Sequence, residues 1–188
     1  MIFFNKNLLL ILAFCCPAHM LFAQTAEDAY NRYTEYNLAI FEGKSDKAFE
    51  LGEKLLPEMD KLPAKTRTAF QYTLGKQYED RKQFDKALPL YEKVVAAEPD
   101  YYVVHLALGH IYLGKAKQLQ LTNKAGFTAL VNKIIPHLEK VQACDPYDEN
   151  LALIKQLYRS INKEAAITSI NERLKPMRNK CIDLLQDH

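Results

Sequence analysis

The side chains that could carry chemistry are few in kind and thinly grouped. His105 and His110 stand five apart in a stretch of helical periodicity, which puts them on different faces of one helix, one packed at a junction and one exposed. No histidine pair stands four apart with a glutamate between, the arrangement by which a helix holds a hydrolytic zinc. Glu79, Asp80, Glu98 and Asp100 fall at expected helix ends, where solvated carboxylates belong. Ser45, Ser160 and Ser169 lack the glycines of a nucleophile elbow. Gly43, Gly52, Gly75, Gly109, Gly114 and Gly126 include no two that combine with a lysine and a Ser/Thr into a phosphate-cradling loop. The expectation is therefore no catalytic residue, no metal ligand, no cofactor and no small-molecule substrate. The chain reads as a non-enzyme that works through its surface.

Helices must position that surface. Of the 188 residues, 48% are hydrophobic and 26% charged, a composition that disfavours disorder and coiled coils. Six glycines and eight prolines are too few for the tight turns of an all-β chain. A formal charge of +2 is too near neutral to demand nucleic acid as a partner. Periodicity predicts helices near 25–42, 45–59, 65–80, 84–97, 101–120, 127–143, 149–161 and 163–186. The first carries Tyr33, Tyr36 and Ile40 as its buried stripe. Pro89 lies early in its helix, where a missing N–H costs little, whereas Pro136 lies deeper and should kink the helix it interrupts.

The middle of the chain repeats. Leu74-Gly75-x-x-Tyr78 returns as Leu108-Gly109-x-x-Tyr112, 34 residues on. Ala87-x-x-x-Tyr91-Glu92-Lys93-Val94, ending at Pro99, returns as Ile134-x-x-x-Leu138-Glu139-Lys140-Val141, ending at Pro146, after 47 residues. The difference is an insertion of 13. Asp46-Lys47-Ala48 echoes Asp85-Lys86-Ala87 as a weaker third copy. These marks resemble the tetratricopeptide repeat, a helix–turn–helix unit of 34 residues. The small residues suit it physically: Gly75 and Ala87 let two antiparallel helices approach, and close packing offsets the roughly 1 kcal/mol that a helical glycine costs. Where the family places a large aromatic, this chain has Gln71 and His105.

The resemblance implies an all-α α-solenoid of about three to four antiparallel hairpins, near 25–60, 65–98, 101–144 and 149–188, closed by a C-terminal capping helix over 163–186. Arg173, Lys175, Arg178 and Lys180 would face outward from that cap. Members of the family hold a peptide or partner helix on the concave face made by first helices. Carried over by position, that face presents Tyr72, Lys76 and Glu79, then Leu106, His110 and Leu113. Thr73 stands where a carboxylate-clamping asparagine would be, so a free C-terminal carboxylate is not the expected ligand. The implied function is an adaptor for a protein or peptide. The alternative is an obligate accessory subunit of an envelope transport or assembly complex.

Two features lie outside the repeat. From Tyr101 to Leu138 there is no Asp or Glu, while Lys115, Lys117, Lys124 and Lys133 make the stretch +4; Gln24 to Asp100 carries −3. The insertion should lengthen both helices of its hairpin by one to two turns, and its tip (113–133), with Lys115, Lys117 and Lys124, could face an anionic partner or a membrane surface. The N-terminus has Lys6, an apolar run from Leu8 to Cys16 and a small residue at Ala23, the pattern of an export signal spanning 1–23. A lipoprotein signal with Cys15 lipidated is the competitor, disfavoured by the bulk of Phe14. Export places residues 24–188 in a periplasmic or secreted setting. Cys144 and Cys181 could pair there, but two cysteines make no disulfide scaffold, and the favoured expectation is two packed thiols near helix ends.

Overall fold

The computed structural model describes residues 16–185, with side chains described from Ala26 onward. Residues 1–15 lie outside the described residues, and with them most of the expected leader and Cys15. The described residues are all-helical and include no strand. The helices are α1 (Cys16–Phe41), α2 (Ser45–Leu55), α3 (Ala64–Asp80), α4 (Phe84–Ala97), α5 (Tyr102–Leu119), α6 (Lys124–Cys144), α7 (Asp148–Ser160) and α8 (Ile170–Leu174), with 3-10 turns at Leu56–Lys61, Glu164–Ile167 and Lys175–Met177. None of the described helices is long and apolar enough to cross a membrane. The chain divides into two compact units, one ending at Phe70 and one beginning at Gln71, with the boundary inside α3.

The first unit packs α1 against α2 and the 3-10 turn that follows. Gly43 makes the turn between them: at φ +70° it sends its own N–H to the Ile40 carbonyl, and Lys44 N–H reaches back to Ala39. That six-to-one bond closes a helix in the left-handed C-terminal motif that glycine adopts most cheaply. Pro57 in the first turn of Leu56–Lys61 ends the α-helical bonding of α2. Ala29, Tyr33, Tyr36 and Ala39 form the buried stripe of α1. Ile40, expected in that stripe, is instead 37% exposed, because Ala39 takes the inward position next to the turn. Phe70 meets Tyr36 edge-on at 5.2 Å and 75°, and Tyr33 at 6.4 Å and 82°.

The second unit contains the repeat. A Cβ built on Gly75 would stand 2.8 Å from the ring of Tyr91, and one on Gly109 would stand 2.8 Å from Cδ2 of Leu138. Tyr91 and Leu138 are the residues that the sequence repeat aligns, so both copies cross at the same place with the same kind of contact. The α3–α4 turn repeats the hydrogen bonding of the first hairpin, with Lys82 at φ 58° and Gln83 N–H bonded to Tyr78. Asn162 at φ 56°, with Lys163 N–H bonded to Tyr158, closes α7 the same way. The α5–α6 turn differs. Relative to α3 and α4 in the repeat register, α5 runs five residues further and α6 begins seven earlier, leaving one extra residue in the turn. Both helices thus gain one to two turns, about 8 and 10 Å of helix. Asn123 caps α6 by accepting from Gly126 N–H at 2.9 Å.

Long-range polar contacts fasten this unit where apolar packing runs out. Glu139, 4% exposed, accepts from Arg173 Nη2 at 2.7 Å and from the Tyr158 hydroxyl at 2.9 Å, while Arg173 Nη1 donates to Ala166 O and Ser169 Oγ. Arg173 was expected on an outward face. It turns inward because Glu139 would otherwise be a buried unpaired charge. Burial and the bond to Glu139 push the Tyr158 phenol up to about 12.

The predicted capping helix over 163–186 does not form. Short turns and the five-residue α8 take its place, and beyond Met177 the chain runs on through a turn at 178–179 and a bend at 183–184 without forming a further helix among the described residues. Pro176 removes an N–H at the start of the last turn. Cys181 then bonds Cys144 as a disulfide, with Cα atoms 5.5 Å apart, correcting the expectation of two thiols. The strap lies along the start of α5: Ile182 N–H donates to Asp100 O at 2.8 Å and Tyr102 N–H to Ile182 O at 3.1 Å. Lys140, 8% exposed, holds Asp100 Oδ1 at 2.6 Å and the Lys180 carbonyl.

Candidate functional site

Three of the nine residues singled out by sequence come together. Glu79 from the end of α3, and His110 and Lys115 from α5, line a recess of about 450 Å3. Phe84 and Asp85, at the start of α4, close one side; Ile111, Gly114 and Gln118 complete the α5 wall. Helical spacing builds that wall, since 111, 114, 115 and 118 share one face. Its outer part, Lys115 to Gln118, belongs to the stretch by which α5 exceeds α3 in the repeat register.

The recess has an uneven charge. Lys115 Nζ pairs with Asp85 Oδ1. Glu79, half-buried, accepts the Tyr91 hydroxyl at 2.7 Å through Oε2 and forms no ion pair among the described residues. Burial, then that bond, pushes the Tyr91 phenol far above its usual range, so it stays a donor. His110 is exposed, as expected, and Phe84 is 43% exposed.

The remaining expected residues stand elsewhere. Tyr72 is half-buried in an aromatic cluster, edge-on to Tyr101 at 5.0 Å and tilted to Tyr91 at 6.2 Å. Lys76 is exposed and pairs with Asp80, whose hydrogen bond raises the lysine above its ordinary value. Leu106 and Leu113 are half-buried, and Lys117 and Lys124 are exposed around the α5–α6 tip, where Leu121 is 95% exposed. Phe84, Asp85 and Gly114 were missed by sequence reasoning. The only available signal was Gly114, a helical glycine with no counterpart in the repeat.

A second cluster was also missed. His105, 8% exposed as a packed junction residue, sends Nε2 to the Pro99 carbonyl at 3.1 Å, and its Nδ1 lies 3.0 Å from Nδ1 of His137. A carbonyl only accepts, so the His105 proton is on Nε2, its Nδ1 is an acceptor, and His137 donates from Nδ1. Both imidazoles are lowered to about 4, chiefly by burial, with His105 and Lys133 adding to the effect at His137. His137 also stacks on Tyr112, centroids 6.0 Å apart. This neutral pair joins α5 to α6; with one chain of donors and acceptors it is built for packing.

Among the described residues no group of three or more His, Cys, Asp or Glu could hold a metal ion. No protein-family model matches the chain, and it has no match among curated proteins or solved structures.

Proposed function

We propose that this chain is an exported helical-repeat adaptor, a non-enzyme that binds a peptide or a segment of another protein, and that α3–α4 and α5–α6 are two units of a tetratricopeptide-like solenoid. The observation that carries the reading is the recess, which gathers Glu79, His110 and Lys115 from consecutive first helices on one concave patch with His110 exposed. The matched glycine crossings and the recurring left-handed turns support the repeat. A disulfide is rare in reducing compartments, which supports export together with the leader pattern.

A photo-crosslinking residue placed at His110 tests it in the native cell. One discrete protein adduct from that position, and none from Gln156 on the exposed side of α7, is the expected outcome. Equal labelling from both positions, or none from either, removes the adaptor.

The accessory-subunit reading has its own observation. Along α1, Tyr30, Leu38 and Phe41 are 49%, 54% and 90% exposed. A constitutive partner covering them would leave the isolated chain self-associating. Light scattering on the purified protein decides: a monodisperse monomer favours the adaptor, and concentration-dependent association favours the subunit.

A further inference from the structure

Gly114 stands in the C-terminal half of α5, and nothing among the described residues requires a glycine there. Its φ is not left-handed, and an added Cβ would meet nothing within 4 Å. Gly75 and Gly109 each meet a packed side chain at the same test. Helix propensity therefore works against Gly114 with nothing among the described residues to offset it. The residue lines the recess together with Phe84 and Ile111, and Glu79 lies in the same recess with no ion pair among the described residues. Asp85 is already matched by Lys115, so Glu79 is the lining carboxylate that has no ion pair among the described residues.

We propose that the recess receives a basic–apolar pair of residues from the partner, the apolar side chain packing against Gly114, Ile111 and Phe84 and the Lys or Arg beside it pairing with Glu79. This rests on the adaptor reading for the source of the ligand and names the chemistry of what is bound. A volume of about 450 Å3 lies at the small end of ligand sites, suited to one or two side chains. Glycine at 114 lets the partner approach the helix backbone, as a methyl there would fill the floor.

The test is an NMR titration of the full chain with N-acetyl-Phe-Arg-amide, with N-acetyl-Phe-Glu-amide and N-acetyl-Gly-Arg-amide as controls. Phe-Arg should shift the amides of Phe84, His110 and Gly114 and bind about tenfold more tightly than either control. Glu79→Gln, which keeps an acceptor for Tyr91, should bring Phe-Arg to the level of Phe-Glu. Gly114→Ala should raise Tm by about 2–4 °C and yet weaken Phe-Arg at least about threefold. No shift at about 5 mM peptide, equal binding of Phe-Glu, or a Gly114→Ala variant that binds as well as the wild type overturns the proposal. An adduct captured at His110 in cells without dipeptide binding would sink this assignment and leave the adaptor standing. Dipeptide binding without any cellular adduct would do the reverse.

Discussion

A methyl group added at Gly75 would press on the ring of Tyr91, and that ring is held through its hydroxyl on Glu79 at 2.7 Å. At Gly109 the same methyl presses on Cδ2 at the end of Leu138, which can rotate aside, and stands in ordinary contact with Cγ at 3.5 Å. At Gly114 it meets nothing. Alanine gains about 1 kcal/mol over glycine in a helix, and overpacking costs about 1–3 kcal/mol. Urea denaturation should therefore rank the variants: Gly114→Ala more stable than wild type by about 1 kcal/mol, Gly109→Ala within about 0.5 kcal/mol of it, and Gly75→Ala less stable by up to about 2 kcal/mol. Gly75→Leu should lose several times that. A Gly75→Ala variant as stable as Gly114→Ala would mean the helices do not cross closely at Tyr91. Two of these three glycines were legible from the sequence because their neighbours recur with them at a shift of 34. Gly114 was not, because openness leaves no pattern in a sequence. His137 was hidden too: it follows Pro136 in a stretch with no mark of its own, and its partner His105 lies 32 residues away.

Helices were read from periodicity, and periodicity served well from α2 to α7. The insertion of 13 went into the two helices and the turn much as the repeat spacing implied. The C-terminal segment escaped because Ala166, Ile170 and Leu174 keep helical spacing, yet what fixes the chain there is contact with distant residues. Arg173 reaches Glu139 across 34 residues and Cys181 reaches Cys144 across 37. Chain-entropy reasoning gives a crosslink of that length about 4 kcal/mol. Cys181→Ser should lower stability by up to about that amount, the released strap being what the disulfide, Lys140 and two backbone hydrogen bonds now hold. Amide hydrogen exchange localises the effect. Ile182 and Tyr102 N–H should lose protection in Cys181→Ser, while amides in the middle of α5 and α6 keep theirs at the level set by global stability. Retained protection at Ile182 would mean that the backbone pairing alone holds the strap.

For the whole molecule, the consequence of this architecture is sensitivity to mild acid. His105 and His137 are lowered by burial from the ordinary 6.5 to about 4, so the unfolded chain binds protons on both between pH 6.5 and 4 while the folded chain does not. Stability must rise with pH across that window; it is complete above 6.5 and is lost as pH falls toward 4. Each imidazole should contribute about 2 kcal/mol between pH 6.5 and 4.5, a large part of a net stability that is typically about 5–15 kcal/mol. Carboxylates act lower. Exposed Glu42 and Glu50 and half-buried Glu58, each held down by a hydrogen bond to a lysine, lose their small contributions as pH falls through and below 4.5. The buried tyrosines act at the other end, where Tyr158 at about 12 withholds its proton and stability declines as pH climbs above 10. The imidazoles can be isolated with His137→Phe, which retains an aromatic ring against Tyr112 and cannot charge. Urea midpoints of the wild type should fall steeply from pH 6.5 to 4.5, and the slope in His137→Phe should be about half as large. A wild-type midpoint that stays level across that interval would show that the pair is open to water, and the packing of α6 on α5 drawn from it would have to be redrawn.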